Sequence, residues 1–381
     1  MKVAFVTAYP ASNTTCASHF ISNALQNCGL EIDYIGPFRV KKCFPVYKPK
    51  ELFYKHIVKK KYYPSRDPIL VKYFGQQISK RISKSKPDII FSPISPGSQP
   101  IAFLKCRQPI VMWTDTTFAG VINWYPGFSN LSKETLVQGQ SIERRALNNC
   151  KLVIFSSDWA AEKAIECYGI EPSKVKVVSM GPYLNCNRSL EDVKAMIARR
   201  AKNKIKLLFL GREWYRKGGD VALQVVKELN RQGTEAELTI VGSKPQIEDS
   251  LSRFVRVLGR LNKSKREDLE KMQQALAQSH LLILPTRADC APAAILEANT
   301  FGLPSLSTKV GAISTLIRDN INGRAFSVDA NASEYCKYIT KIFSANGKYK
   351  ELALSTFNEY QTRLNWTVAG EKVTKMLQAI I

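Results

Sequence analysis

At 381 residues, the chain is longer than one ordinary core fills, so two domains are expected. Its 45% apolar and 23% charged residues fit a globular protein, and no apolar run approaches the roughly 18–20 residues that span a bilayer. The net charge of +24 calls for an anionic partner, while nine cysteines without a C-x-x-C pair and only three histidines exclude a zinc module and fit reduced thiols in a cytosolic protein.

The first half alternates strand and helix signals. Residues 2–8 (KVAFVTA) read as a buried strand, too short before Tyr9 and Pro10 for a signal peptide. A helix follows and ends at Gly29, then a strand at 31–36. Residues 39–86 hold fifteen Lys or Arg and two Asp or Glu, a net +13, with Phe44, Tyr47, Phe53, Tyr54, Tyr62, Tyr63, Tyr73 and Phe74 among them. Such density points to an anionic membrane surface, an anionic acceptor or nucleic acid. A helix at 67–85, strands at 88–93 and 110–115, a helix at 133–149 and strands at 151–157 and 175–180 complete the half. Strands alternating with helices imply a parallel sheet with helical cover.

Residues 181–203 break the alternation and are expected to be the linker between domains 1–180 and 204–359. The pattern then restarts: strand 206–211, helix 219–232, strands 237–242 and 254–259, a helix opened by a Ser264–Glu267 capping box, strand 280–286, helix 293–301 and a strand near 305. Two of these units run strand, polar loop, helix. The first, IKLLFLGREWYRKGG (205–219), brings Arg212 and Lys217; the second, LLILPTRADCAPAAILEANTFGLP (281–304), brings Asp289 and Glu297. Ligands of open α/β sheets bind at the carboxyl ends of strands. Two cations and two carboxylates there suit a diphosphate with hydroxyls at both ends. Arg216 is expected to face solvent.

The frame G-R-x-x-x-x-K-G-G-D before ELTIVG, the D-x7-E segment before ANTFGLP, the turn at Lys309–Ala312 and NGRAFSVD (322–329) resemble the retaining glycosyltransferases of the GT-B fold, family 4. The run IERRALNNCKLVIFSSDWAAEKAIECYGIEPSKVKVVSMGP resembles the same family's first half. The resemblance implies an α/β GT-B protein: two doubly wound Rossmann-like domains facing a central cleft, with the helix at about 360–381 crossing back onto the first. It implies no bound cofactor and no metal, with a UDP- or GDP-type sugar as donor. Arg212 and Lys217 would hold the diphosphate, Glu297 the ribose hydroxyls and Asp289, one methylene shorter than the family's Glu, the donor sugar. Gly211 and the backbone of Ala291, Ala293 and Ala294 would line the donor site. Asp115, at the end of a first-half strand, either orients an acceptor, bonds a donor hydroxyl or caps its own loop. The loop after the first strand lacks the family's glycines, so hydroxyls of Ser12, Thr14, Thr15 or Ser18 stand in their place; His19 packs in its helix or faces the cleft.

The expected activity is transfer of a hexose-type sugar to a glycan or lipid-linked acceptor, in the cytoplasm or peripherally on the inner membrane face. A dinucleotide oxidoreductase is excluded, because neither candidate strand leads into G-x-G-x-x-G. The alternative is a non-catalytic GT-B protein that docks through its basic segment; nucleic acid has no separate motif in its favour.

Overall fold

The computed structural model describes residues 1–7, 16–38, 43–93, 99–185, 187–201 and 203–381; the loop holding Ser12, Thr14 and Thr15 lies outside them. The chain forms two units, Met1–Ser179 with Trp366–Ile381, and Met180–Asn365. Strands of the first are β1 (Lys2–Val6), β2 (Glu31–Ile35), β3 (Ile89–Pro93), β4 (Ile110–Thr114), β5 (Leu152–Phe155) and β6 (Val175–Val177). Its helices are α1 (Ala17–Asn27), α2 (Phe44–Phe53), α3 (Pro68–Ser85), α4 (Phe118–Val121), α5 (Lys133–Asn149) and α6 (Asp158–Tyr168).

The second unit has β7 (Ile205–Leu210), β8 (Ala236–Val241), β9 (Val255–Gly259), β10 (Leu281–Leu284), β11 (Ser305–Thr308) and β12 (Gly323–Phe326). Around them run α7 (Leu190–Ala198), α8 (Gly219–Arg231), α9 (Asp249–Ser252), α10 (Arg266–Gln278), α11 (Ala293–Asn299), α12 (Ile313–Leu316), α13 (Ala332–Ser344) and α14 (Lys348–Thr362). The last helix, α15 (Trp366–Gln378), belongs to the first unit, where it lies on α1 and stacks Trp366 on Phe20 at 5.9 Å.

Both sheets are six-stranded and parallel, ordered β2-β1-β3-β4-β5-β6 and β12-β11-β10-β7-β8-β9. Central strands are apolar on both faces because helices cover both: β3, β4 and β5 are buried at every residue. Each sheet runs from its first strand out to one edge and then returns to the other side of that first strand. In the second unit that reversal falls between β7 and β10, which pair through Leu207 with Leu281 and Leu208 with Leu282. The polar loops after these two strands therefore emerge side by side.

Two expectations meet a different structure. Part of the 181–203 stretch is helical: Ser189 and Asp192 form a reciprocal capping box that opens α7, and Val193 and Ile197 pack on Ala353 and Phe357 of α14. Arg200 then binds the carbonyls of Phe301 (2.7 Å) and Gly302 (3.0 Å), so this stretch is folded into the second unit. The Ser264 box does not form, since α10 begins at Arg266 with Lys265 at its cap and no side-chain bond there. Asp268 instead accepts from the Asn262 N–H at 2.9 Å, and Asn262 from the Ser264 N–H at 3.0 Å. Asp268 rather than Glu267 serves the loop, and the Ser264 hydroxyl is left outside the helix.

Candidate functional site

The loop after β7 is a single helical turn. Lys217 N–H bonds Glu213 O at 2.8 Å and Gly219 N–H bonds Trp214 O at 2.8 Å, while Trp214 packs edge-on against Phe209 at 5.1 Å. Two glycines make this geometry possible. Gly218 has φ +75°, and a Cβ there would meet Pro285 O at 1.9 Å. A Cβ on Gly211 would come within 3.1 Å of Lys217 Cβ and Cγ, so Gly211 lets the lysine stem pass over the strand end.

The loop after β10 is fastened to this turn. Arg287 N–H donates to Arg216 O at 2.8 Å and Thr286 Oγ1 to the same oxygen at 3.1 Å. The Arg287 guanidinium forks onto both carboxylate oxygens of Asp220 at 2.8 Å, donates to Tyr215 O at 2.6 Å and lies 4.0 Å over the Tyr215 ring. Burial works against the Asp220 carboxylate, but the Arg287 fork outweighs it and holds the group below its usual range. Arg216 does not face solvent as expected: its side chain is 13% exposed, paired with Glu213 and donating to Ala288 O.

Lys217 Nζ donates to Asp289 Oδ2, and that carboxylate is buried. Asp289 also ties down the neighbouring turn, through Ala312 N–H to its carbonyl at 3.0 Å. Glu297, on α11, is 2% exposed and receives a hydrogen bond from Lys263 Nζ. Burial pushes its carboxyl above the usual range, with Lys263 opposing. Arg212 is exposed and makes no hydrogen bond or ion pair with a described residue.

Arg212, Lys217, Lys263 and Glu297 line a crevice of about 300 Å³ together with Gly211, Ala291, Ala293, Ala294, Arg216 and Arg260, among others; Asp289 is not in its lining. A second hollow of about 450 Å³ shares Arg212, Gly242 and Arg260 and extends it. A further one of about 470 Å³ runs along β9 past Lys206, Glu237 and Arg256, each at the second position of its strand. That hollow reaches the amino ends of the sheet, away from the reversal between β7 and β10. Of the backbone groups expected to point into the crevice, the Ala293 N–H is already used, donating to Ala291 O at 2.8 Å.

Asp115 is not among these groups. It lies in the first unit, one residue past β4, in a turn where Thr114 Oγ1 donates to Thr116 O at 3.1 Å. His19 sits on α1 with a ring nitrogen 3.0 Å from Asn23 Nδ2. Sequence reasoning missed Lys263, Arg260 and the Arg287–Asp220 fork. The signal for the first two was present, because GRLNK directly follows β9 and so leaves the same edge of the sheet.

The crevice offers Arg212 and Arg260, neither paired among the described residues, the Lys263–Glu297 pair, and Lys217, whose partner Asp289 is buried and is not itself in the lining. Residues 204–345 match the family described as Glycosyl transferases group 1, and residues 18–182 the one described as Glycosyltransferase Family 4. The lipopolysaccharide glucosyltransferase WaaG of Escherichia coli (strain K12) is 26% identical over 203 residues, 51% of each chain. The putative glycosyltransferase YtcC of Bacillus subtilis (strain 168) is 21% identical over 265 residues, 65% of this chain and 64% of its own. The matches thus span about half to two thirds of these relatives' length. Among solved structures, the apo lipopolysaccharide outer core galactosyltransferase WaaB superposes with a TM-score of 0.64 at 14% identity, covering 100% of both chains. Anabaena HepE (Alr3699) in complex with UDP superposes with 0.65 at 15%, again covering 100% of both. Such likeness is of fold.

Proposed function

Because the chain belongs to the GT-B glycosyltransferases of family 4 (group 1), we propose that it moves a hexose-type sugar from a UDP or GDP donor onto a glycan or lipid-linked acceptor. The setting would be cell-surface polysaccharide or glycolipid synthesis, with the basic 39–86 segment meeting an anionic inner membrane face. One observation carries the proposal: the loop bearing Arg212 and Lys217 is stapled beside the loop bearing Asp289 at the sheet's reversal, over a buried Glu297.

In this account Arg212 and Lys217 take the diphosphate. Charge builds there as the glycosidic bond breaks, so fixed cations stabilise the transition state more than the ground state. Lys217 exchanges Asp289 for a phosphate oxygen, and Asp289 then turns to a donor-sugar hydroxyl. Glu297 takes the ribose. Asp289 and Glu297, both buried, are each held by a lysine, which favours a leaving phosphate oxygen, rather than a protein base, as the group that receives the acceptor proton, with no protein nucleophile attacking the sugar. Transfer then occurs on one face of the sugar with retention, and the protein's own cations do the work a divalent metal would do. Asp115 orients the acceptor.

Release of nucleoside diphosphate from UDP- and GDP-hexoses, with the product anomer assigned by NMR, tests this. Retained configuration and turnover undiminished by EDTA are expected. An inverted product, or loss of activity with EDTA, would overturn the corresponding part.

A further inference from the structure

Among the described residues no helix is long and apolar enough to cross a membrane, yet one segment of the first unit has the surface of an interfacial anchor. Helix α2 and the π turn that continues it, Tyr54–Val58, contain no buried residue. The contacts they make with the rest of the unit come from Tyr47, which packs toward Leu70 and Phe74, and from Lys50 and Tyr54, the i, i+3 and i+7 positions of one helix face; half-buried Lys48 and Glu51 pair with each other within the helix. Lys50 Nζ lies 2.7 Å from Glu134 Oε1 and 3.1 Å from Asp67 Oδ2. Tyr54 OH donates to Glu134 Oε2 at 3.0 Å, and its ring stacks on Tyr62 at 5.3 Å. Tyr62 OH in turn donates to Asp67 Oδ2 at 2.6 Å.

Polar bonds therefore fix the orientation of this helix, and its apolar side chains are turned outward. Phe44 is 51% exposed, Leu52 44%, Phe53 52% and Ile57 70%. Seven of the fifteen large apolar side chains that stand exposed among the described residues fall between Phe44 and Ile69, too dense a group for chance scatter. The cations among them are lysines: Lys55, Lys59, Lys60 and Lys61 are all exposed. Protein interfaces are depleted in lysine, and nucleic-acid surfaces favour the arginine fork. Lysine stems instead suit a bilayer interface, where the chain lies against acyl carbon and the ammonium rises to phosphate.

We infer that α2 and its π turn insert into the interface of an anionic phospholipid bilayer, with Phe53 and Ile57 seated at the acyl boundary and Lys55, Lys59 and Lys60 on lipid phosphates. This rests on the membrane contact proposed above and deepens it from surface attraction to insertion. The insertion would hold the first unit at the bilayer, where a lipid-linked acceptor resides.

Co-sedimentation of the full chain with phosphatidylcholine vesicles, with and without roughly a third phosphatidylglycerol, tests it. Wild type should bind the anionic vesicles and keep part of that binding in high salt. Phe53→Ser with Ile57→Ser should lose binding at least about tenfold, with what remains abolished by salt. Lys55→Glu, Lys59→Glu and Lys60→Glu together should lose the preference for anionic lipid. Both variants change only exposed positions, so melting temperature and nucleotide-diphosphate binding should match wild type and serve as the folding control. If the Phe53, Ile57 variant binds as wild type does while the charge reversal abolishes binding, insertion is wrong and the electrostatic contact stands. Absence of vesicle binding by wild type overturns both. Concentration-dependent self-association that the double variant removes, without vesicle binding, would assign the face to a second copy.

Discussion

Each carboxylate expected to meet donor hydroxyls is held by a lysine, Asp289 by Lys217 and Glu297 by Lys263. Single substitutions should therefore separate binding from folding. Arg212 is exposed and unpaired among the described residues, so Arg212→Ala should leave stability within about 0.5 kcal/mol while lowering turnover roughly 100-fold or more. Lys217→Ala should also cost turnover, but it strands a buried Asp289 and should destabilise by about 3–5 kcal/mol. Lys217→Met with Asp289→Asn should recover most of that stability and none of the activity. Denaturant melts beside kcat for the three proteins check this. Arg212, Lys217, Asp289 and Glu297 were legible in the sequence because their spacing within two strand–loop–helix segments is local. The pairing of Lys263 with Glu297 was not: the place of Lys263 just after β9 was visible, but the two meet across 34 residues and only the sheet order brings them together. Arg216 was misjudged for a similar reason: the tight turn after β7 folds its side chain back onto the carbonyl of Ala288.

Among the elements, the strands were the easiest to read, because a doubly covered parallel sheet demands continuous apolar runs such as 281–284 and 110–114. Helix starts were harder. Ser264 has the right spacing for a cap, but its N–H is taken by the Asn262 side chain and the helix starts two residues later, at Arg266, which a four-residue pattern does not show. A consequence at this scale concerns His280, which begins the β10 segment. One ring nitrogen lies 2.9 Å from Ala201 O, and Nδ1 accepts from the Lys206 N–H at 2.9 Å. Burial, then the charge of Arg200, lowers its pKa to about 4. An unfolded histidine titrates near 6.5, so between those values the unfolded chain binds the extra proton. Stability should fall as pH drops from about 6.5 to 4, by up to about 3 kcal/mol from this residue. Urea midpoints at pH 7 and pH 5 should show that loss in wild type and a flatter response in His280→Gln. An equal slope in both would place the acid sensitivity elsewhere.

For the whole molecule, the division into two α/β units was readable from one strand–helix alternation that stops and restarts. The stretch at 181–203 looked like a linker because it opens with Gly, Pro and Asn and goes on in polar residues. The capping box of α7 and the apolar pair Val193 and Ile197 draw part of it into the second unit. The proposed donor site was the more legible because its residues sit in the second unit's regular loops. The proposed acceptor side is less so, because it rests on Asp115 and the 39–86 segment, and neither carries a spacing that names a ligand. The net charge of +24 is concentrated in that segment and supports the proposed membrane contact, while it says nothing of the donor. The central claim is that the crevice at the β7–β10 reversal binds a nucleoside diphosphate through Arg212. Calorimetric titration of UDP, GDP and ADP into wild type and Arg212→Ala tests it most directly. One diphosphate should bind wild type saturably and bind the variant at least about tenfold more weakly. No binding by any of the three, or equal affinity in both proteins, would contradict the account and leave the basic first unit as the protein's working surface.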